Sequence, residues 1–339
     1  MKTATLPSKR QVPRISTDAK IDNRPHKHLQ ICNVLVPIDF SVASLEAIEF
    51  ALPLVKRFGA DLHMVHVFEP DYSLAAMAAM PLIIPELEVG RRVRRHLKDV
   101  ARKHGIELRR ENIHCLKGRP FQEICGLARD GQMDLIVIAT RGNTGFKHLA
   151  LGSTAERVVR YSPCPVLVVR PLDHKKKAGR NGKTQRTLSF RKILVPIDFS
   201  ECSIKGLDYA KALGEQFGST LVLLHSVHLD YYVAADEYAR YDFPLLLKQT
   251  TKAAASQLRD FVRKTNWGGL KVETALEVGH AGQQICYRAQ DRHVDLIATS
   301  THGTTGLKHI LLGSTAEYVI RHAHCPVLVV PSHVRPAIT

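Results

Sequence analysis

One stretch of this chain occurs twice: RGNTGFKHLALGSTAE at residues 141–156 and HGTTGLKHILLGSTAE at residues 302–317. Two further segments repeat unchanged and in the same order, LVPIDFS at 35–41 and 194–200 and CPVLVV at 164–169 and 325–330. A spacing of about 160 residues is too long for a solenoid repeat and is typical of a duplicated domain. The chain therefore contains two copies of one folding unit.

Within each copy, short apolar runs alternate with segments of helical periodicity. This alternation predicts an α/β fold, with two tandem doubly wound domains of the Rossmann-like class, each built on a five-stranded parallel sheet with right-handed crossovers. The predicted strands are 32–37, 61–68, 106–116, 134–140 and 166–170, then 192–196, 220–227, 270–278, 295–299 and 327–330. The predicted helices include 86–104, 121–129 and 153–161, then 202–217 and 245–265, the last after a loop at 231–244.

The expected domain organisation follows from the repeat and from changes in composition. We expect a disordered basic tail at 1–30, the first domain at 31–170, a basic linker at 171–190, the second domain at 191–331 and a C-terminal tail at 332–339. Of the formal net charge of +16, residues 1–30 supply +5 and residues 170–190 supply +6. Basic tails and linkers of this kind are most often solvated spacers, so no specific nucleic-acid binding is expected.

Composition narrows the class of protein. Apolar residues make up 45% of the chain, and no apolar run reaches the ~20 residues that a membrane helix needs. The N-terminus has no apolar signal region, and Pro7, Pro13 and Pro25 disfavour the amphipathic helix of an organellar transit peptide. The seven cysteines form no C-x-x-C pair or metal-ligand spacing, which indicates a reducing cytoplasm.

The repeated segments predict a ligand site in each copy. Open parallel sheets bind ligands at the carboxyl ends of their strands, where the strand order reverses. The ends of strands one and four carry Pro37, Asp39 and Ala139 in the first copy, and Pro196, Asp198 and Ser300 in the second. A glycine-rich turn and a Gly-Ser-Thr helix start then follow strand four, and free backbone N–H groups at such a start hold anions. The aspartate suits a ribose hydroxyl, an adenine amino group or a metal ion carried on phosphates.

These segments resemble those of the universal stress protein family, in its tandem two-domain form, over residues ~31–170 and ~191–331. Its ATP-binding members carry Gly-x-x-Gly, nine residues, then Gly-Ser or Gly-Thr. Gly142 and Gly152 match the second and third glycines with nine residues between them, as do Gly303 and Gly313. The first glycine of that pattern is Ala139 in one copy and Ser300 in the other.

The resemblance implies a stress-response regulatory protein that binds ATP, or AMP or ADP, in one or both domains, with Mg²⁺ carried on the nucleotide. It implies that Asp39 and Asp198 contact the nucleoside and that the backbones of Val67 and Ser226 contact adenine. The phosphate-binding residues that it implies are Gly142, Gly145, Gly152, Ser153 and Thr154, and Gly303, Gly306, Gly313, Ser314 and Thr315. No Walker loop, catalytic triad or paired carboxylates stand beside the site, so at most slow ATP hydrolysis is expected.

Two alternatives remain open. The loops at 70–85 and 231–247 differ completely between the copies and are rich in apolar or aromatic residues, which favours a hydrophobic-ligand or lipid-binding stress protein with vestigial nucleotide sites. An ATP-using enzyme of the related pyrophosphatase type is disfavoured, because Asp-Phe-Ser follows strand one in place of a Ser-Gly-Gly phosphate loop. The histidines at 63, 66, 322 and 324 give no metal site by spacing alone.

The fifth strand of each copy is a short, wholly apolar run, Val166–Val169 and Val327–Val330. A bare apolar strand at a sheet edge favours pairing with another strand. We therefore expect the two domains to associate through their fifth strands as an internal pseudo-dimer. The same apolar edge would also allow two whole chains to form a homodimer.

Overall fold

The apolar run that ends at Pro37 forms the first strand of a parallel sheet in the computed structural model of this protein. The structure describes residues 29–69, 86–140, 151–170, 190–228, 237–301 and 312–334. Several predicted features lie outside these ranges: most of the N-terminal tail, the linker, the loop at 70–85, the C-terminal end, and Gly142, Gly145, Gly303 and Gly306.

The first half of the molecule, as described, alternates strands and helices. Its elements in chain order are β1 (Asn33–Pro37), α1 (Val42–Phe58), β2 (Asp61–Phe68), α2 (Glu86–Lys103), β3 (Ile113–Lys117), α3 (Pro120–Asp130), β4 (Leu135–Ala139), α4 (Ser153–Tyr161) and β5 (Val166–Val169).

The second half repeats this order. Its elements are β6 (Lys192–Pro196), α5 (Glu201–Phe217), β7 (Thr220–Val227), α6 (Glu237–Lys264), β8 (Lys271–Val278), α7 (Ala281–Asp291), β9 (Leu296–Ser300), α8 (Ser314–His322) and β10 (Val327–Val330).

Local sequence sets the ends of the first helix in each half. The hydroxyl of Ser41 caps α1 by accepting a hydrogen bond from the Ser44 N–H, and Ser200 caps α5 in the same way. Gly59 and Gly218 end these helices in the left-handed conformation, with φ of 66° and 63°, which glycine adopts without steric cost. The repeated sequence thus produces the same strand-to-helix turn twice.

All ten strands of the described residues belong to one sheet, in the order β3-β2-β1-β4-β5-β10-β9-β6-β7-β8. Every pair within a half is parallel, and the order reverses between β1 and β4 and again between β6 and β9. The predicted Rossmann-like, doubly wound class is confirmed, and the two switch points lie where the sequence motifs require them.

The fifth strands meet at the centre of this sheet. Strand β10 pairs antiparallel with β5, with Val327 opposite Val168 and Val329 opposite Val166. Each five-stranded sheet therefore loses one exposed edge, and apolar clusters on both faces of the sheet contain residues of both halves. The joined sheet is the scaffold that carries both candidate sites.

The predicted third strand of the first half, 106–116, was too long at its start. The strand begins at Ile113, after a single 3-10 turn at Arg110–Asn112. Pairing with β2 begins only at Met64 opposite Ile113, so residues 106–112 have no partner strand, although Ile106 and Leu108 still pack on the core. In the second half, β8 pairs along its whole length with β7.

The predicted loop at 231–244 was also wrong in part. Helix α6 begins at Glu237, and Pro244, which we expected to precede the helix, lies inside it. Proline is disfavoured in a helix because it removes one backbone hydrogen bond. Pro244 and Leu245 are exposed, so the proline ring lies on the solvent side of the helix.

Candidate functional site

The carboxyl end of β1 turns sharply into α1 around Asp39. One carboxylate oxygen of Asp39 accepts hydrogen bonds from the Ser41 N–H at 3.0 Å and from the Ser41 hydroxyl at 2.5 Å. The same Ser41 oxygen caps α1. Asp39 is therefore held at the mouth of the sheet before any ligand arrives.

The second half builds the same turn at the carboxyl end of β6. Asp198 accepts from the Ser200 N–H at 3.0 Å and from the Ser200 hydroxyl at 2.6 Å. Both aspartates are half-buried. Two turns with different flanking helices thus converge on one geometry, which indicates that the repeated Asp-Phe-Ser sequence dictates it.

The Gly-Ser-Thr segment lies beside the end of β4. Gly152 donates its N–H to the carbonyl of Thr140 at 2.8 Å, and Gly313 donates to Thr301 at the same distance. A Cβ on Gly152 would come within 3.3 Å of the Thr140 oxygen, so a larger residue would press on the strand end. The N–H of each N-cap glycine therefore docks the helix onto the end of the strand.

The first turns of α4 and α8 differ from those of α1 and α5. Gly152 and Gly313 are the N-caps, and neither provides a side-chain hydrogen bond to the helix. A helix start without a side-chain cap leaves backbone donors and the positive end of the helix dipole for a ligand. The hydroxyls of Ser153 and Ser314 are exposed at these starts. The donor set fits a phosphate group.

The predicted adenine-contacting residues lie near the end of the neighbouring strand. Val67 in β2 and Ser226 in β7 are half-buried, and the Ser226 hydroxyl donates to the carbonyl of Gly279 at 2.8 Å. Because β1 lies between β2 and β4, the carboxyl ends of all three strands share one edge of the sheet. The predicted site residues therefore gather at the carboxyl ends of the strands within each half. In the first half they are Pro37, Asp39, Val67, Ala139, Gly152, Ser153 and Thr154, and in the second half Pro196, Asp198, Ser226, Ser300, Gly313, Ser314 and Thr315.

Two histidines lie near the carboxyl ends of β2 and β7, beside the predicted site residues. His66 and His225 precede Val67 and Ser226, and each ring contacts the backbone just before the site aspartate, at Ile38 and Ile197. Their recurrence at matching positions of both copies was the signal that could have linked them to the site.

A second histidine pair lies away from this edge. His63 Nδ1 is 3.2 Å from His114 Nε2, and the other ring nitrogen of His63 is 3.3 Å from the Asn33 side-chain oxygen. Burial lowers the pKa of His63, and burial, with His63 and Arg94 as lesser causes, lowers the pKa of His114 to about 4. The two rings stay neutral at physiological pH and are part of the sheet surface of the first half.

Four of the seven cysteines behave as apolar core residues. Burial raises the pKa of Cys125 to about 11 and of Cys164 to about 12, and the equivalent Cys286 and Cys325 shift alike. Thiols with such pKa values are poor nucleophiles and poor metal ligands at neutral pH.

Within the described ranges, no group of three or more His, Cys, Asp or Glu side chains is arranged to hold a metal ion. The ring of His322, half of a possible ligand pair in the sequence, instead contacts the carbonyl of Tyr318 through Nδ1 at 2.8 Å. No helix in the described residues combines the length and apolar character needed to cross a membrane.

Comparison with known proteins gives one consistent result. The sequence model of the Universal stress protein family matches residues 31–170 and 189–331. Two universal stress proteins of Methanocaldococcus jannaschii are 36% and 33% identical to this chain over 140 and 156 residues, which is 40% and 42% of this chain and 81% and 96% of those proteins. Each of these relatives has about the length of one half.

Solved structures extend the likeness in fold to both halves. A universal stress protein from Archaeoglobus fulgidus superimposes with a TM-score of 0.56, at 22% identity, over 88% of this chain and 98% of its own. A putative universal stress protein from Pseudomonas aeruginosa gives a TM-score of 0.57, at 20% identity, over 89% and 93%.

Proposed function

Because this chain belongs to the universal stress protein family, in tandem form, we propose that it is a stress-response regulatory protein that binds an adenine nucleotide. ATP is the expected ligand, with AMP or ADP as alternatives. One observation carries the proposal. In each half, a fixed carboxylate and a helix start without a side-chain cap lie at the carboxyl ends of neighbouring strands.

The two parts of the site suit the two ends of a nucleotide. The carboxylate of Asp39 is already ordered by two donors, so little further ordering is required when it accepts a ribose hydroxyl. The N–H groups after Gly152 and the hydroxyl of Ser153 suit phosphate oxygens. Magnesium keeps several water ligands and binds phosphate oxygens, so an ion carried on the phosphates would need few protein groups.

The second half offers an equivalent site with its own chemistry. Ser226 and Ser300 stand where the first half has Val67 and Ala139. Because these substitutions keep the side chains small while adding hydroxyl groups, we propose that both sites admit a nucleotide and that their affinities differ.

Calorimetric titration of Mg-ATP into the intact chain tests this proposal. Asp39→Ala should remove one site and Asp198→Ala the other, each with at least a tenfold loss of affinity at that site. Gly142→Asp and Gly303→Asp should do the same by placing negative charge where phosphates are expected. Asp61→Asn, at the opposite end of β2, is the matched control and should bind as the wild type does.

Absence of heat at millimolar ATP would contradict the nucleotide proposal. The hydrophobic-ligand alternative, which the apolar and aromatic sequences of the loops at 70–85 and 231–247 favour, would then take its place. The apolar recess between the two halves has room for about one water molecule and does not support it; its lining residues are Ile31, Leu54, Leu135, Leu167, Phe190, Tyr209, Leu213, Leu296 and Leu328. Native mass spectrometry of the purified protein would reveal a retained apolar molecule.

A further inference from the structure

The ring of His66 is fixed against the backbone that leads into the first site. Its Nδ1 lies 2.7 Å from the carbonyl oxygen of Ile38, the residue before Asp39. A carbonyl only accepts hydrogen bonds, so Nδ1 carries the proton in this contact. The plane of the Ile38–Asp39 peptide is therefore set by a side chain from the neighbouring strand.

The second half repeats this contact at the same distance. His225 Nδ1 lies 2.7 Å from the carbonyl oxygen of Ile197, the residue before Asp198. The next layer of packing is different: in the first half Phe40 stacks on His96, and in the second Phe199 meets Phe261 edge-on. The histidine–carbonyl contact is preserved while its surroundings vary, so it is not a by-product of one particular core.

The residue after each aspartate has an unusual backbone conformation. Phe40 and Phe199 both have φ of +62°, a region that costs a non-glycine residue about 1 kcal/mol or more. The rings of His66 and His225 lie against them, with centroids at 4.8 and 4.9 Å. Strain of this kind persists only where neighbouring groups hold it, and here the histidine holds both the preceding carbonyl and the strained residue.

The strained residue is what turns the aspartate toward the serine. With Phe40 in the left-handed region, the chain reverses so that the Ser41 N–H and hydroxyl both reach the Asp39 carboxylate. Contacts thus run without a break from the histidine ring, through the peptide and the phenylalanine, to the carboxylate at the sheet edge.

We propose that His66 and His225 are positioning residues of the two nucleotide sites, which keep Asp39 and Asp198 in the orientation that a nucleoside requires. This inference rests on the proposed function. Neither histidine needs to touch the ligand: each acts by donating its Nδ1 proton to the carbonyl before the aspartate and by supporting the phenylalanine after it.

The test uses the intact chain with one site removed. In an Asp198→Ala background, ATP titration reports on the first half alone, and His66→Phe keeps an aromatic ring while removing the donor. We expect about a fivefold to tenfold loss of affinity, the effect of one lost hydrogen bond. His66→Asn retains a donor near the Nδ1 position but has no ring to pack on Phe40, so its loss of affinity should be clearly smaller than that of His66→Phe.

The matched control is His63→Phe, on the same strand but at its other end, which should leave ATP affinity unchanged. The series His225→Phe and His225→Asn in an Asp39→Ala background tests the second half. Thermal unfolding of each variant separates a misfolded protein from a folded one with a displaced aspartate.

A measurement on the unmodified protein covers the case in which a variant fails to fold. Long-range ¹H–¹⁵N correlation spectra of ¹⁵N-histidine-labelled protein report which ring nitrogen is protonated. His66 and His225 should show the Nδ1–H form, whereas free imidazole side chains favour Nε2–H. The Nε2–H form at either residue would overturn the inference for that half.

The outcomes remain distinguishable. Unchanged ATP affinity in His66→Phe, or equal losses in His66→Phe and His66→Asn, would overturn the positioning role while leaving the nucleotide proposal intact. A wild-type chain that binds no ATP overturns both.

Discussion

The guanidinium of Arg321 lies 3.4 Å from a carboxylate oxygen of Glu156, and this ion pair joins the two halves of the molecule. Glu156 lies in the first turn of α4, directly after the Gly-Ser-Thr segment, and Arg321 lies in the last turn of α8. The pair therefore connects the two helices whose first turns are proposed to hold phosphate. Arg170, just after β5, adds a second connection by donating to the carbonyl of Ile320 at 3.0 Å.

Removing the positive charge of Arg321 should weaken the contact between the two halves. Arg321→Gln is expected to lower the free energy of unfolding by about 1 kcal/mol, because the pair with Glu156 is partly buried and Arg321 also contacts Glu317 at 2.8 Å. Arg92→Gln, which breaks the exposed pair with Glu88, should change it by less than about 0.5 kcal/mol. Equal effects in urea unfolding would show that the pair across the junction adds nothing.

A charged residue placed in strand β5 or β10 should lower the free energy of unfolding by more. Val168 and Val329 are 2% and 0% exposed, so Val168→Asp or Val329→Asp would bury an unpaired carboxylate at a cost of about 3 kcal/mol or more. The halves should separate or unfold, which solution scattering would register as a larger radius of gyration. Leu87→Asp, at a position 76% exposed, is the control. Unchanged compactness of Val168→Asp would contradict the pairing of β5 with β10.

The His63–His114 pair should make stability depend on pH. Both folded-state pKa values lie below the ordinary 6.5, with burial as the main cause in each case and with Asp61 and Glu111 opposing it at His63. The unfolded chain therefore binds more protons than the folded one between pH 6.5 and about 4, and stability falls as the pH drops through that window.

The second half supplies the matched substitutions for this test. The equivalent positions there are Val222 and Ala275, so the double variant His63→Val and His114→Ala should lose less stability on acidification. We expect the difference between pH 7.5 and 5 to be about 1 kcal/mol smaller than in the wild type, a modest value because both rings are half exposed. Urea midpoints that shift by the same amount with pH in both proteins would contradict this expectation. His104→Gln is the control variant.

A glycine in α7 makes room for a ring from α8. A Cβ on Gly282 would lie 2.7 Å from the ring of Tyr318, whereas the first half has Phe121 and Arg157 at these positions, with the guanidinium 5.2 Å from the ring centroid. Gly282→Ala should destabilise the protein by about 1 kcal/mol, since overpacking outweighs the gain in helix propensity.

Two further variants decide whether the ring is the cause. In a Tyr318→Ala background, Gly282→Ala should become neutral or stabilising, which a double-mutant cycle would report as coupling. Gly126→Ala in α3, where a Cβ meets nothing within 4 Å, should stabilise by about 0.5–1 kcal/mol. Absence of coupling between positions 282 and 318 would contradict the packing argument.

Local pattern was enough to predict most helices and strands and to place the candidate site residues at strand ends. The ends of α1 follow from Ser41 and Gly59, because serine is a favoured N-cap and glycine adopts the left-handed conformation without steric cost. The recurrence of Asp39 as Asp198, each after a buried strand, marked the site edge because the carboxyl ends of parallel strands always share one side. Where partner strands mattered, as at residues 106–112, local pattern overestimated the strand.

What the sequence by itself determined was the duplication, the order of strands and helices, and the residue types at the strand ends, all of which depend on near neighbours in the chain. Only the tertiary structure decided which distant groups meet: His66 with the Ile38 carbonyl, His63 with His114, and Arg321 with Glu156. The physical reason is register. A contact between strands or helices depends on how two elements are aligned, and a shift of one residue in a strand would turn each of its side chains to the opposite face.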